Sequence, residues 1–235
     1  MGNFNPNDIA SCKAWYDAMD FSTIKITSSE VLQIIDKSGN GNHQIGTAGT
    51  APAWSITGTG SALPAIQFAS GKFTSCADNA TLDFTTFFSA AVYQRDTDAG
   101  AVQGIFGKQT AGGTNREFMM YISASDQPSV QTTTDGTSGT LAGTSGRTNS
   151  TGVPAIIGAA NDGVNTYQFG DNITKQNAAA VSVFNGAGTL DLGRAFGNTG
   201  QIVISEVLFY TVKPSDSDIR KIMHYLASKW RIPVL

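Results

Sequence analysis

The sequence predicts an all-β protein, two stacked antiparallel sheets with one C-terminal α-helix packed on the outside, and three observations lead there. Charged residues are only 14% of the 235 positions and Gly numbers 26, a composition that favours short strands joined by small polar turns over a helical bundle. Roughly a dozen short apolar runs are punctuated by Gly, Asn, Asp and Pro, and strands with one apolar face must bury it against a second sheet. Third, the chain ends in an unambiguous strand–helix unit. Gln201–Tyr210 is a β-branched and aromatic run, Lys213-Pro214 stops it, and Ser215 with Asp218 gives an acidic form of the capping-box spacing. Ile219, Ile222, Met223, Leu226 and Trp230 then recur every three or four residues as one apolar stripe, with Arg220, Lys221 and Lys229 expected in water. No solenoid-length repeat and no break in composition is found, so residues 1–235 are expected to form a single domain large enough to bury a sizeable core.

Taken in order, Asp8–Asp20 reads as a short helical turn and a strand through Trp15, a core residue, with Asp17 and Asp20 in turns. Thr23–Ile26 and Glu30–Ile35 make a hairpin. Asp36-Lys37-Ser38-Gly39-Asn40-Gly41-Asn42-His43 is a tight polar loop in which the glycines permit positive φ and Asp36 accepts backbone N–H groups. Thr47–Ser61, containing Trp54, reads as a small-residue linker. Leu63–Phe68, Lys72–Thr74, Phe84–Gln94 and Gly104–Lys108 follow as strands. Glu117–Ile122 alternates so that Phe118, Met120 and Ile122 face in while Glu117, Met119 and Tyr121 face mostly out. Thr132–Gly152 is nearly all Thr, Ser and Gly around an Asp135-Gly136 turn, too poor in large apolar side chains for core; it reads as an exposed hairpin and loop. Pro154–Ala160, Thr166–Phe169, Ile173–Lys175 and Leu190–Arg194 complete the strands.

Several of these segments carry a resemblance. Ile204-Ser205-Glu206-Val207-Leu208-Phe209-Tyr210, Ser215-Asp216 and Tyr225-Leu226-Ala227-Ser228-Lys229-Trp230 resemble the last strand and terminal helix of laminin-G-like domains of the concanavalin A-like lectin/glucanase superfamily, of the type found in bacteriophage structural proteins. Trp15-Tyr16-Asp17-Ala18 resembles their opening, and Asp36–His43 their acidic-x-Ser-Gly-Asn-x-Asn signature; between the two ends the likeness is weaker. Pattern and resemblance together imply a jelly-roll β-sandwich.

The chemistry is informative mainly by what is missing. Glycosidases of that superfamily carry Glu-x-Asp-x-(x)-Glu on one strand, since retaining hydrolysis needs two carboxyls about 5 Å apart; here Glu30, Glu117 and Glu206 are scattered. Asp96 with Asp98 and Asp216 with Asp218 are explained by a turn and a helix cap. His43 and His224 have no nucleophile elbow to serve, and no Gly-rich loop opens a helix after a strand. No enzymatic activity is expected. Cys12 and Cys76 have no zinc spacing and read as two buried thiols, a disulfide being the alternative. No cofactor is expected; Asp36, Asn40 and Asn42 offer the oxygens that calcium takes, although turn chemistry explains all three.

The net charge of −3 without a basic block argues against nucleic acid. No apolar run reaches membrane-spanning length and the N-terminus lacks a signal-peptide pattern. Two functional readings remain. The resemblance implies a non-enzymatic virion accessory protein, a capsid or tail decoration or adhesion component made in the host cytoplasm, with other virion proteins and surface glycans as partners. The alternative is a dedicated carbohydrate-binding lectin module not tied to a virion. Sugar recognition wants an aromatic platform beside hydrogen-bonding groups, and Trp54, Arg116, Tyr121, Asn161, Asp162 and Tyr167 are the exposed candidates. Self-association through sheet edges is open to either reading.

Overall fold

The computed structural model describes residues 4–58, 62–98, 100–110, 115–137, 139–144, 149–170, 176–178 and 182–233, the short runs 139–144 and 176–178 as backbone. Nineteen strands and one α-helix are described: β1 (Cys12–Asp17), β2 (Ile24–Thr27), β3 (Glu30–Ile34), β4 (Gln44–Ile45), β5 (Ala53–Ser55), β6 (Ala65–Phe68), β7 (Thr74–Cys76), β8 (Phe87–Arg95), β9 (Gln103–Gln109), β10 (Phe118–Ile122), β11 (Pro128–Thr133), β12 (Gly139–Thr144), β13 (Pro154–Asn161), β14 (Thr166–Phe169), β15 (Gln176–Ala178), β16 (Thr189–Leu192), β17 (Arg194–Ala195), β18 (Asn198–Thr199), β19 (Ile202–Tyr210) and α1 (Asp216–Trp230). The all-β sandwich with a C-terminal helix is therefore what the chain forms.

A back sheet runs β1–β19–β8–β13–β14–β15, antiparallel throughout. A front sheet runs β4–β7–β16–β9–β10–β11–β12. A strip made of β3, β5 and β6 joins the two along one side, because β6 pairs with the first half of β19 and β3 pairs with β4. Ser28 and Ser29, both at positive φ, close the β2–β3 hairpin, as the right-handed strand twist favours in a two-residue turn.

The core lies between the sheets. Phe87, Ala91 and Tyr93 of β8 meet Phe106 of β9 and Phe118 and Met120 of β10, and the Phe106–Phe209 and Phe87–Phe118 ring pairs span 4.9 and 4.6 Å. The other face of the back sheet presents Phe88, Val92, Leu208 and Tyr210, which pack under Ile219, Ile222, Met223, Leu226 and Trp230 of α1. Fifteen residues make a marginal helix alone; burying these side chains, at roughly 1.5–3 kcal/mol each, is what holds it. Its N-cap is as expected, the Asp218 N–H donating to Ser215 Oγ at 3.1 Å.

One extra residue in β19 decides which face each later side chain takes. Ile204 pairs with Tyr93 and Glu206 with Val92, so Ser205 is bulged. Before the bulge Ile202 and Ile204 face the core, and after it Val207 and Phe209 do. Strict alternation would have sent Glu206 into the inter-sheet core; the bulge turns it toward the helix.

Four expectations are corrected. Lys229 is not in water: its Nζ lies 2.8 Å from both Asp17 and Glu206 carboxylates, an arrangement that the 3.6-residue period cannot reveal. The second face of β10 is covered as well, Met119 and Tyr121 packing under Ala195, and Glu117 just before it is fully buried, where its carboxylate meets Lys108. Thr132 and Thr133, assigned to an exposed segment, are fully buried, because Thr133 Oγ1 donates to the Arg116 carbonyl and Thr132 Oγ1 bonds to Thr166 Oγ1 at 3.2 Å; a satisfied hydroxyl lets Thr act as core. Trp54 lies in a strand, β5, rather than a linker. The strand expected at 173–175 lies outside the described residues.

Candidate functional site

The two outer faces of the sandwich are covered differently. The helix closes the back face, whereas among the described residues the front face is crossed by the small β17–β18 hairpin. That hairpin lies directly on β9 because β9 has no side chain in its path: a Cβ at Gly104 would stand 2.1 Å from the Ala195 nitrogen, and one at Gly107 would stand 3.0 Å from Met119 Cγ. Phe196 (φ +55°) and Gly197 (φ +76°) form its two-residue turn. Positive φ is costly for a bulky residue, and Phe196 is held there by Tyr121, edge-on at 4.9 Å, and by the Arg116 guanidinium at 5.2 Å.

On the other side of the hairpin the front sheet carries a groove of 300 Å³ lined by Ile45, Thr47, Thr50, Phe73, Ser75, Ala77 and Thr189. Register places it. Ile45 of β4 pairs with Ser75 of β7, and Ser75 pairs with Asp191 of β16. Leu190 and Leu192 on either side of Asp191 go into the core, so period-2 alternation sends Asp191 to the groove side.

Asp191 is fully buried and organises the groove floor. Its Oδ1 accepts from Ser75 Oγ at 2.6 Å and from Thr189 Oγ1 at 2.8 Å; its Oδ2 accepts from Arg194 Nε at 2.9 Å and ion-pairs with Nη2 at 2.8 Å. Burial pushes the Asp191 carboxyl above its ordinary value, against the pull of Ser75 and Arg194. The Arg194 guanidinium lies over the Phe73 ring at 3.7 Å, a cation–π contact at the groove wall. Ile45 is 52% exposed, an apolar side chain open to a ligand beside these hydroxyls.

The sequence candidates divide among three places. Arg116 and Tyr121 do come together, around Phe196 on the front face. Asn161, Asp162 and Tyr167 come together in the β13–β14 hairpin, where Asp162 accepts from the Val164 and Asn165 N–H groups and from Tyr167 Oη at 2.5 Å, and Asn161 donates to Thr166 Oγ1. Trp54 stands apart, its Nε1 donating to the Ala18 carbonyl at 3.1 Å and its ring 4.9 Å from the exposed Phe21. The expected exposure is corrected: Tyr121, Asn161 and Tyr167 are buried, Trp54 and Arg116 half-buried, and only Asp162 is exposed. Aromatic and amide side chains that can satisfy their polar atoms locally are drawn inward. The reading by residue type missed Phe73, Ser75, Thr189, Asp191 and Arg194; the signal available was a lone Asp between two leucines followed at i+3 by Arg.

The Asp36 loop has the turn chemistry expected. Asp36 Oδ1 accepts from the Trp15 and Ser38 N–H groups, Oδ2 from the Asn42 N–H and the Ser38 hydroxyl. Among the described residues no group of three or more His, Cys, Asp or Glu could hold a metal ion, and no helix is long and apolar enough to cross a membrane. Cys12 and Cys76 are free and buried, burial pushing their thiols up to about 12 and about 11.

No family model matches the sequence, and no curated protein does. Solved structures do share the fold. The binding domain of Paraclostridial Mosquitocidal Protein 1 aligns over 93% of this chain and 52% of its own at TM-score 0.63 and 10% identity. A Trypanosoma rangeli sialidase aligns over 94% and 33% at TM-score 0.64 and 10% identity. A GH54 α-L-arabinofuranosidase aligns over 96% and 65% at TM-score 0.65 and 14% identity. The chain thus spans between a third and two thirds of the length of these structures. At such identities the likeness establishes the β-sandwich fold alone.

These likenesses overturn the expectation of no enzymatic activity, since the fold occurs in chains named for a sialidase and an arabinofuranosidase. The physical reason is visible within this chain: absence of a one-strand carboxylate motif does not keep carboxylates apart. Asp78 and Glu117 both lie against Lys108 Nζ, at 2.8 and 2.5 Å, although 39 positions separate them in sequence.

Proposed function

We propose that the chain is a carbohydrate-recognition module that binds glycan in the front-face groove. The observation that carries this reading is the Asp191 arrangement: a buried carboxylate fixes two hydroxyls and an arginine, with an exposed isoleucine and a phenylalanine alongside. Saccharide sites combine an apolar surface with a few preorganised polar groups. The shared fold with glycan-processing chains is consistent with that chemistry.

The likeness of both chain ends to laminin-G-like domains of phage structural proteins supports a further step, in which the module sits on a virion, in the capsid or tail, and contacts other virion proteins there. A lectin module outside any virion is the second reading, and the same groove serves both.

A glycan-array screen of the purified protein, with and without calcium, tests the proposal. Reproducible binding that is lost in Arg194→Ala and retained in Trp54→Ala supports the groove. Binding lost only in Trp54→Ala moves the site to the Trp54–Phe21 pair, and a blank array with folded protein refutes carbohydrate recognition. Calcium dependence that is lost in Asp36→Asn would point to Asp36 as a metal ligand.

A further inference from the structure

Resting on the groove reading, the geometry points to a specificity: we propose that the groove selects neutral sugars through their hydroxyl hydrogens and rejects carboxylated ones such as sialic or uronic acids.

The hydroxyl protons set the polarity of the groove. Ser75 Oγ and Thr189 Oγ1 each carry a single hydrogen. Ser75 spends its hydrogen on Asp191 Oδ1 at 2.6 Å. Thr189 Oγ1 has two acceptors within reach, Asp191 Oδ1 at 2.8 Å and the Gln109 carbonyl at 3.2 Å. Whichever takes the proton, it points away from the groove. Both hydroxyls therefore offer an incoming ligand lone pairs alone. A sugar O–H can donate to them; a carboxylate, which only accepts, meets them with like polarity.

The charge at the site points the same way. Arg194 would ordinarily invite a carboxylate through its planar fork of donors. Here Nε and Nη2 are already turned to Asp191 Oδ2 and the guanidinium is stacked on Phe73. The cation is neutralised by a carboxylate buried beneath it, so the groove presents no net positive charge to an acidic sugar. Ile45, Phe73 and Ala77, the apolar members of the lining, suit the hydrophobic edge of a neutral pyranose, a 6-deoxy methyl included.

The test is an array of immobilised neutral glycans, each printed beside its sialylated or uronate-bearing counterpart and its O-methylated form. It is run with the native protein, Ser75→Ala, Thr189→Val and Asp191→Asn. Each hydroxyl deletion is expected to weaken neutral-glycan binding about threefold to tenfold, the value of one hydrogen bond. O-methylation should abolish binding, and acidic counterparts should bind at least tenfold more weakly. Asp191→Asn turns one acceptor into a donor and frees the hydroxyl protons, so acidic glycans should gain relative to neutral ones. The single hydroxyl variants keep the test sharp should Asp191→Asn fail to fold. Groove-dependent binding that prefers acidic glycans overturns this inference and leaves carbohydrate recognition standing. Binding of no glycan overturns both, and binding indifferent to all three substitutions overturns the groove as the site and this inference with it.

Discussion

Both outer faces of the sandwich hold a fully buried carboxylate, and the two put it to different use. On the back face Glu206 accepts from Trp15 Nε1 at 2.7 Å, Tyr225 Oη at 2.9 Å and Trp230 Nε1 at 2.5 Å, with Lys229 Nζ at 2.8 Å. Those donors come from β1 and α1, so the carboxylate ties strand, sheet and helix together and the face is closed. On the front face the donors to Asp191 come from β7, β16 and the start of the small hairpin, and a groove stays open above them. A buried carboxylate gathers donors wherever it lies; what covers the donors decides whether the result is a fastening or a site.

The sharpest way to break the comparison is to remove each carboxylate. Glu206→Ala leaves the half-buried Lys229 with Asp17 and the Tyr225 hydroxyl and frees two indole N–H groups and a phenol O–H, a loss that approaches the cost of breaking a buried pair, about 3–5 kcal/mol. Urea unfolding should show that loss together with looser packing of Trp230. A loss below about 1 kcal/mol would mean that the apolar stripe alone holds the helix. Burial raises the Glu206 carboxyl, opposed by Lys229.

Gly104→Val probes the open face next. A Cβ there overlaps the Ala195 backbone, so the hairpin must lift. Overpacking of this kind costs about 1–3 kcal/mol. Because Arg194 begins that hairpin, glycan binding should fall with it, while Trp230 fluorescence, which reports the closed face, should stay as in the native protein. A valine tolerated with full binding would show that Arg194 does not depend on the hairpin's seat.

A third experiment uses pH. Lys108 and Glu117 are fully buried, with Asp78 at the rim, and among the described residues Glu117 Oε2 has no partner. Burial outweighs the attraction of Lys108 and raises the Glu117 carboxyl to about 8. A carboxyl whose folded value lies above its unfolded one contributes stability that is complete at low pH and is lost as pH rises through the folded value, at up to about 1.4 kcal/mol per pH unit for one group. Melting temperature should therefore decline between about pH 4.5 and about pH 8 and level off above it, and Glu117→Gln, which keeps the neutral shape, should flatten the decline. An unchanged pH profile in the variant would place the titration elsewhere. The Gly186 N–H donates to Glu117 Oε1 and its carbonyl accepts from Lys108, so the Gly186 amide should report the same titration.

The closed face was the more legible of the two in the sequence, and the reason is physical. Its helix repeats every three or four residues and its cap has a spacing of its own, so Ile219 through Trp230 could be placed before any contact was known. Glu206 was invisible as an anchor because its direction depends on a one-residue bulge at Ser205, which no alternation announces. The groove was less legible still. Ser75, Asp191 and Arg194 meet through register between strands more than 100 positions apart, and a sequence contains no cross-strand register. Candidates chosen by residue type, such as Tyr167 and Asn161, proved to be satisfying a local hairpin instead.

The smallest effect concerns the helix end on the closed face. Arg231 caps α1 in the left-handed conformation, at φ +55° and ψ +35°, its N–H donating to the Ala227 carbonyl. That conformation suits glycine, and a residue with a Cβ holds it at a cost of roughly 1–2 kcal/mol. Glycine also loses more conformational entropy on folding, so Arg231→Gly should gain no more than about 1 kcal/mol, seen as a small rise in the urea midpoint. The comparison predicts where that gain goes. If the closed face is purely a fastening, tightening it raises stability and leaves glycan binding in the front groove unchanged; an altered glycan affinity would mean that the two carboxylate centres communicate through the strands between them.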